Sequence, residues 1–370
     1  MKLSGLKYVD SDFNIISGSI LVDGELIGGF EGDDSDEMNM QNLLALPGFI
    51  DIHTHGGSQV SPADGDEQSL QKLTMHYARH GVTSFCPSTV TLPHDELVEI
   101  FKSVENIKGR EQGAYIQGIN MEGPYVSKEK CGAQNTDYIR KADVDEFFEL
   151  NSISKISLVD LAPEPEGALD FAREVSKHTV CSIAHTNATY DEARKGFSNG
   201  FSHVTHFFNA MTPLSHRAPG VVGAVFENDK VTAELICDGF HLDEATVRLA
   251  FKLLGANRCV AISDSLSSAD CEDGEYILGG QKVIVKDSKA LLENGTIAGS
   301  TSNLFDEFRN LLSFGIPFND ALAACSLNPA RVIGVSDKCG SIEKGKNADL
   351  IFVDEGMNLR HVMIKGRMIF

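Results

Sequence analysis

Residues 44–57 read LALPGFIDIHTHGG, an apolar run that ends in two histidines one residue apart. Side chains of a strand alternate between its two faces, so His53 and His55 are expected to project together. Paired imidazoles of this kind can bind a metal ion, but a surface histidine or a hydrogen-bonded core histidine fits the same pattern. The segment therefore predicts a buried strand that ends at a candidate metal site.

The same alternation of a short apolar run and a helical pattern continues through the middle of the chain. The further runs are VTSFCPSTV, YIQGINMEGPYV, KISLVDLAPE, VCSIAHTNA, FSHVTHFFNAM, VTAELICDGFHL and RCVAISDS. Helical patterns between the runs include residues 68–80, 94–108 and 191–198. Eight strands that alternate with helices predict an α/β fold, a (β/α)8 barrel of the TIM type, over residues 47–337.

Both ends of the chain have a different pattern, of short alternating strands with turn residues between them. Residues 18–30, GSILVDGELIGGF, contain the hairpin signal Asp23-Gly24, and GSIEKGKNADLIFVD and HVMIKGRMIF near the other end are similar. Because chain termini often lie close together, residues 1–46 and 338–370 are expected to form one small β-sandwich domain. A β-hairpin insertion is expected near residues 274–297, where glycine and asparagine turns interrupt the barrel pattern.

Charge and composition narrow the partners and the location. The chain of 370 residues has a formal net charge of −21, which argues against a nucleic-acid partner and repels anionic small molecules at long range. It has no run near the ~20 apolar residues of a membrane span, and its start, MKLSGLKYVDSDF, lacks the apolar core of a signal peptide. The eight cysteines contain no CxxC pair, so we expect free thiols in a reducing compartment, the cytoplasm.

Residues that bind metals or transfer protons recur where the predicted strands end. They are His53, His55, Glu122, His185, His206, His241 and Asp264. Each has an ordinary explanation alone, such as a turn residue or a helix cap, but barrel active sites lie at the C-terminal ends of the strands. The set therefore predicts a metal site on one face of the barrel. His76 and His80 also have ligand spacing, but YARHG is typical of a helix end, so we leave them out; His203 lies at the start of its strand.

Several motifs resemble those of a known enzyme family, and together they span nearly the whole chain. The run PGFIDIHTHGG resembles the amidohydrolase superfamily. The motifs EGPY, LAPE, AHTNATY, THFFNAM, CDGFHLD, SDS, GTIAGS and SIEKGKNADL resemble its N-acetylglucosamine-6-phosphate deacetylase family. THFFNAM together with DGFHLD is more specific to these deacetylases than HTHGG, which identifies the superfamily alone.

The resemblance implies one or two divalent metals per chain. Glu122, His185 and His206 would hold the main catalytic metal. Some members carry a glutamine at the first histidine position and hold one metal, whereas this chain keeps both His53 and His55. Zinc and iron(II) both suit imidazole and carboxylate ligands.

The resemblance also implies the remaining roles. Asp264 would be the general acid/base beside the metal, and His241 would face the substrate. Arg217 would bind the phosphate from a neighbouring subunit, which implies a homodimer. Some members have a histidine where Gln134 stands, and its neutral amide can hydrogen-bond but carries no charge. The substrate-binding residues besides Arg217 and His241 would be Ala133, Gln134, Asn209, Ala210, Ile297, Ala298 and Gly299.

The implied activity is metal-dependent hydrolysis of the N-acetyl group of N-acetylglucosamine 6-phosphate, which yields glucosamine 6-phosphate and acetate in amino-sugar catabolism and recycling. The same reaction on N-acetylgalactosamine 6-phosphate is the nearest alternative. Amidohydrolases of cyclic amides often use a carbamylated lysine at the fourth strand, and KISLVDLAPE ends without one. A relative without activity would have lost ligands, and every ligand position is filled here.

Overall fold

A computed structural model describes residues 1–32, 36–64 and 66–370, and it is an α/β structure. Strands of the N-terminal part are β1 Lys2–Val9, β2 Ile15–Asp23, β3 Leu26–Gly29, β4 Glu37–Asn39 and β5 Leu44–Pro47. The central parallel strands are β6 Phe49–Thr54, β7 Val82–Pro87, β8 Tyr115–Ile116, β9 Ile119–Glu122, β10 Ile156–Leu161, β11 Val180–Ile183, β12 Phe201–Val204, β13 Thr232–Leu235 and β14 Cys259–Ala261. Each apolar run predicted to be a strand contains at least one, and YIQGINMEGPYV contains both β8 and β9.

Helices separate the central strands, as the sequence predicts. They are α1 Glu67–Arg79, α2 His94–Ile107, α3 Val144–Ile153, α4 Ala168–Val175, α5 Tyr190–Phe197, α6 Gly220–Glu227, α7 Glu244–Leu254, α8 Leu304–Ser313, α9 Phe318–Cys325 and α10 Leu327–Val332. The three predicted helices agree with α1, α2 and α5 to within one residue at each end. Local capping explains such agreement: Asp66 accepts from the Ser69 N–H before α1, and Thr189 and Glu192 form a capping box at α5.

The central strands form two parallel ladders, one in the order β14-β13-β12-β11-β10-β9 and one in the order β6-β7-β8. A bridge between Ser88 and Asn120 connects the ladders on one side. On the other side the Asp264 N–H donates to the His53 carbonyl at 3.0 Å, just beyond β14 and within β6. Residues in β6 and β10 are buried at every position, as expected of strands covered on both faces. Parallel pairing brings the carboxyl ends of the strands to one edge.

Strands from both ends of the chain join in one sheet. The strands of the insertion are β15 Gly274–Leu278, β16 Gln281–Lys286, β17 Lys289–Leu292 and β18 Ile297–Gly299. The C-terminal strands are β19 Leu350–Val353, β20 Leu359–Ile364 and β21 Arg367–Met368. The sheet has the order β21-β20-β19-β5-β1-β2-β3, with β4 paired to β1. The β-sandwich and its boundaries stay a prediction, and residues 33–35 of its N-terminal part lie outside the described residues.

The insertion is larger than the single hairpin that the sequence predicts. Strands β15 to β18 form an antiparallel sheet in chain order that extends over residues 274–299. Each reversal uses residues with positive φ, including Gly279, Asp287, Ser288 and Gly295. Such residues suit tight two-residue hairpin turns. The extra strands matter for function because the last one lies over the site described below.

No helix among the described residues is long and apolar enough to cross a lipid bilayer.

Candidate metal centre and its cavity

The predicted ligands lie at or just beyond the ends of the central strands. His53 is within β6 and Glu122 ends β9, whereas His185, His206 and Asp264 follow β11, β12 and β14 by two or three residues. The last three have φ values of 43°, 27° and 46°, in the left-handed region that L residues seldom adopt. Conformations of this kind are costly and cluster at functional sites. They turn side chains from three separate strands toward one point.

Glu122, His185 and His206 form the first cluster. Oε1 of Glu122 lies 3.0 Å from Nε2 of His185 and 3.2 Å from Nε2 of His206, and the two imidazole nitrogens are 3.1 Å apart. A tetrahedral metal with bonds of about 2.0–2.1 Å has ligand atoms about 3.3 Å from one another. The three atoms thus have the spacing and the chemistry of a divalent metal site.

His53, His55 and Asp264 form a second cluster beside the first. The Nε2 atoms of the two histidines are 3.2 Å apart, and Oδ1 of Asp264 lies 3.6 Å from His53 and 3.3 Å from His55. Glu122 spans the clusters, since Oε1 is 3.5 Å from Nε2 of His53 and Oε2 is 3.5 Å from Nε2 of His55. The arrangement therefore offers ligands for two neighbouring cations, with one shared carboxylate.

Electrostatics at these clusters also fit a cation. Burial alone would raise the pKa of Glu122, but the adjacent His185 and His206 imidazoles hold this pKa well below its usual range. Burial raises the pKa of Asp160 to about 8, although the charge of His53 opposes the shift. The ionised Glu122 carboxylate thus lies beside imidazoles out of contact with solvent, which favours a bound divalent cation, whereas Asp160 carries a proton at neutral pH.

Glu234 forms a layer beneath the ligands that the sequence analysis missed. Its Oε2 lies 3.0 Å from Nδ1 of His53 and accepts a 3.0 Å hydrogen bond from the backbone N–H of His206. Its Oε1 lies 3.2 Å from Nε2 of His203, which explains why that histidine is buried away from the cavity. A carboxylate at Nδ1 orients a ligand histidine and leaves Nε2 for the metal. The only signal in the sequence is a glutamate inside the apolar run VTAELIC.

A cavity of about 500 Å³ lies above the clusters. The predicted residues that line it are His55, Glu122, Ala133, Gln134, His185, His206, Asn209, Ala210, His241, Asp264, Ile297, Ala298 and Gly299. His53 is fully buried below it. His241 lies in the loop after β13, beyond the strand's end, and Asp238 holds it there: their Nδ1 and Oδ2 atoms are 2.7 Å apart. That contact leaves Nε2 of His241 for a ligand.

The insertion sheet forms one wall of the cavity through β18. Gly299 has a φ of 150°, and a Cβ there would lie 2.7 Å from the Leu266 side chain and 3.0 Å from the Asp264 carbonyl. Glycine is therefore needed where β18 crosses the segment that carries Asp264. Gln281 of β16 donates to the Ala133 carbonyl on the facing loop. The insertion sheet therefore contacts this loop as well as the segment that carries Asp264.

Gln134 is hydrogen-bonded to one of the proposed metal ligands. Its Nε2 donates to Oε2 of Glu122, and its Oε1 accepts a 2.6 Å hydrogen bond from the Thr91 N–H. The contact of Gln134 with the substrate stays a prediction. In this chain the amide orients a predicted metal ligand.

Two cations differ in their relation to the cavity. Arg217 lies exposed on the loop before α6, does not line the cavity, and forms no ion pair within the described ranges. Lys130 is half-buried and lines the cavity, and its carbonyl lies 3.2 Å from Nδ1 of His185. The sequence analysis missed Lys130, because nothing in the stretch KEK distinguishes one lysine from its neighbour.

Comparison with known proteins finds relatives that cover most of the chain. The model of the amidohydrolase family matches residues 44–369. N-acetylglucosamine-6-phosphate deacetylase of Bacillus subtilis is 34% identical over 88% of this chain and 85% of its own length, and N-acetylgalactosamine-6-phosphate deacetylase of Escherichia coli O157:H7 is 35% identical over 88% and 87%.

Solved structures give the same result. N-acetylglucosamine-6-phosphate deacetylase of Thermotoga maritima superposes with a TM-score of 0.92 at 31% identity, covering 100% of this chain and 99% of that one. A variant of the Mycobacterium smegmatis enzyme in complex with N-acetyl-D-glucosamine-6-phosphate superposes with a TM-score of 0.93 at 27% identity, covering 100% and 99%. With its motifs, its metal-type clusters and these relatives, the chain belongs to the N-acetylglucosamine-6-phosphate deacetylase family of the amidohydrolases.

Proposed function

We propose that this chain hydrolyses the N-acetyl group of N-acetylglucosamine 6-phosphate to give glucosamine 6-phosphate and acetate, in amino-sugar catabolism and recycling. The observation that carries the proposal is the cluster of Glu122, His185 and His206 at the floor of a cavity, with the Asp264 carboxylate beside it. The relatives of that name cover most of the chain, which supports the same substrate class.

Zn²⁺ and Fe²⁺ are the proposed metals, one or two per chain, since imidazole and carboxylate ligands without thiolate suit both. Glu122, His185 and His206 would hold the first, and His53, His55 and Asp264 would help to hold a second. When bound, such a metal would acidify a water molecule and polarise the amide carbonyl.

Asp264 is proposed to transfer the proton. Burial would raise its pKa, but the hydrogen bond with His55 and the charge of His53 bring the pKa below its usual value. The carboxylate is therefore ionised at neutral pH and can accept a proton from the attacking water. It would then deliver that proton to the departing sugar nitrogen, first as a base and then as an acid.

The other lining residues would bind and position the sugar. His241 is the second proposed catalytic group, with Nε2 available to a developing oxyanion once Nδ1 is fixed by Asp238. Asn209 and Ala210 on one side and the β18 wall on the other would enclose the sugar ring. Arg217 would bind the phosphate of a sugar held by a second subunit of a homodimer, because its exposed guanidinium has no ion pair with any described residue and can reach a neighbouring chain.

N-acetylgalactosamine 6-phosphate is the second candidate substrate. It is favoured by the Escherichia coli relative, which is as similar to this chain as the Bacillus subtilis one. The deciding experiment measures acetate release from both phosphorylated sugars and determines the metal content of the same sample. Release from neither sugar by metal-loaded protein would reject the proposed function.

Architecture and location complete the proposal. The two ladders would close into one (β/α)8 barrel over residues 47–337, supported by the bonds that connect β6 to the segment after β14. The mixed sheet would be part of a β-sandwich formed by residues 1–46 and 338–370. The eight cysteines are free thiols, which supports a reducing compartment such as the cytoplasm.

A further inference from the structure

His76 and His80 lie one turn apart on α1, and the structure adds a carboxylate to them. Oδ2 of Asp270, in the segment after β14, lies 2.8 Å from Nε2 of His80 and 3.5 Å from Nδ1 of His76. The three potential ligand atoms lie within 4.8 Å of one another. Asp270 is distant in sequence from α1, so the histidine spacing alone could not reveal this cluster.

The side chains of the cluster are oriented by contacts outside it. Nδ1 of His80 lies 2.9 Å from the His76 carbonyl, so that nitrogen donates to the backbone and Nε2 keeps its lone pair. His76 is buried, and the Nδ1 that faces Asp270 lies 2.9 Å from the Ser58 hydroxyl, so a bound ion would replace that hydrogen bond. A histidine whose second nitrogen donates to a carbonyl is a typical arrangement for a metal ligand.

We propose that His76, His80 and Asp270 form a further binding site for a divalent ion of the zinc type, outside the catalytic cavity. Two imidazoles and one carboxylate are a common zinc ligand set, which leaves a fourth position for water. A surface groove of about 660 Å³ borders all three residues and gives an ion access. Arg79 and Lys72 also border this groove, so the ion would be bound through its ligands and not through the local net charge.

A simple ion pair would explain less of the geometry. His94 and Glu146 form such a pair, with Nδ1 and Oε1 2.9 Å apart, and it needs no second imidazole. At Asp270 a second, buried imidazole faces the same carboxylate oxygen. The ring centroids of His76 and His80 are 4.6 Å apart. When two imidazoles lie so near each other, protonating both is unfavourable because the two positive charges repel. A shared cation, by contrast, uses both imidazoles as neutral ligands.

A bound ion would connect α1 to both loops that carry catalytic ligands. Ser58, which contacts His76, follows His55 closely, and its N–H donates to the Ala269 carbonyl at 2.9 Å. The Gln59 N–H donates to the Ser267 carbonyl at 2.7 Å. The two loops therefore already form one unit, and the proposed ion would fix it to the helix.

The test compares zinc bound per chain by the holoenzyme and its variants after dialysis at the same free Zn²⁺. His80→Gln and Asp270→Asn each remove one ligand at a partly exposed position and should hold one zinc less than the parent, because zinc affinity falls on the order of a hundredfold or more when a ligand is lost. His94→Gln, which breaks an ion pair without removing a ligand, should keep the parent's zinc. Acetate release by all variants confirms that they are folded.

Thermal unfolding gives a second measurement. Added Zn²⁺ should raise the midpoint of the parent and of His94→Gln more than that of His80→Gln or Asp270→Asn. Equal zinc content and equal shifts in all four proteins would overturn the proposal and leave an ordinary ion pair. If one ligand variant does not fold, the other decides between these outcomes.

Discussion

Asp264 combines a strained backbone with a carboxylate that lies 3.3 Å from His55, and its proposed proton transfer can be separated from metal binding. We predict that Asp264→Asn lowers acetate release at least a hundredfold, since general acid–base catalysis contributes about 10²–10⁴ in rate. The amide keeps the shape of the side chain and the remaining ligands keep the metal, but the amide cannot accept a proton at neutral pH. Acetate assays with metal analysis on the same protein check this.

Two results would contradict that role. A rate within tenfold of the parent would exclude Asp264 as the proton carrier. Loss of the rate together with loss of metal would make the residue mainly a ligand.

Among the described residues that line the cavity, Lys130 is the one lysine or arginine. With a net charge of −21, long-range attraction does not help a phosphorylated sugar, so short-range donors must. We predict that Lys130→Ala raises KM for the phosphorylated sugar about tenfold, because a hydrogen bond to a charged group contributes ~1.5–3 kcal/mol. Lys128→Ala, exposed two residues earlier, is the control and should keep the parent's KM.

If Lys130→Ala changes KM equally for phosphorylated and unphosphorylated sugar, the ammonium group does not bind the phosphate.

Single site residues could be predicted from the sequence where they belong to a local pattern. His53 and His55 could be paired because strand alternation puts both on one face, and their Nε2 atoms lie 3.2 Å apart. Lys130 and Glu234 have no such pattern. Their positions depend on how a loop and a strand are placed in three dimensions, which one sequence does not contain.

Strand β13 contributes a side chain that supports the proposed metal ligands and is not itself a proposed ligand. Glu234 contacts His53 and His206 from below. Burial would raise its pKa, but the charge of His53 and hydrogen bonds with His203 and His53 keep this pKa far below normal. We predict that Glu234→Gln weakens metal binding ten- to a hundredfold, the usual effect of removing such a support. Metal retained during dialysis against a graded chelator measures this affinity.

Glu307→Gln is the matched control, since Glu307 on α8 is equally buried and bonds to Ser302 instead of a proposed ligand. Burial raises the pKa of Glu307 well above normal, so the neutral amide resembles its protonated form. Metal loss of the same size in both variants would show a general effect of altering a buried carboxyl.

Helices and strands could be predicted where the signal lies in neighbouring residues. The length of a strand and the number of strands in the insertion could not, because they depend on packing between distant residues. Helix α1 begins at Glu67, one residue before the predicted start, because Asp66 caps it. Strand β13 ends at Leu235, so His241 is placed by its bond to Asp238 and not by the strand. The insertion gained strands beyond one hairpin because each further reversal brought another edge for pairing.

For the whole molecule, Asp349 lies where the sheet of the termini meets the central strands. It accepts hydrogen bonds from Tyr115 of β8 at 2.7 Å and from the Lys365 N–H at 2.8 Å, yet burial raises its pKa to about 6. Between pH 4 and pH 6 the folded chain thus holds a proton that the unfolded chain has lost. This contribution to the free energy of unfolding is complete below about pH 4 and is lost as the pH rises through 6.

We predict that Asp349→Asn removes this part of the pH dependence, up to about 3 kcal/mol for a shift near two pH units. Denaturant unfolding from pH 4 to pH 7, at equal metal content, compares the slopes. The exposed Asp337→Asn is the control and should follow the parent. Identical slopes for Asp349→Asn and the parent would show that Asp349 is ionised in the folded chain at pH 5.

Arg217 tests whether the active site needs two subunits. We predict that Arg217→Ala raises KM for the phosphorylated sugar tenfold or more, by loss of a charge-assisted bond of ~1.5–3 kcal/mol, and hardly changes the weak rate on N-acetylglucosamine. Mixing Arg217→Ala with Asp264→Asn protein should partly restore activity, because a hybrid dimer pairs one intact centre with one intact arginine. No recovery despite proven subunit exchange would place the arginine in its own chain's site.

Because β5 pairs with β19, the sheet of the termini can be completed only after nearly the whole chain has been synthesised. A ribosome makes β1 to β5 first, so β5 can pair with β1 at once, but its other partner, β19, emerges only after all the proposed catalytic residues have been made. Until then β5 presents an unpaired edge, the kind of surface that chaperones cover and aggregates extend. A transcript cut short between the codons for Asp264 and Leu350 therefore yields a polypeptide with every proposed metal ligand and an open edge. Quality control can recognise such an incomplete product by that edge.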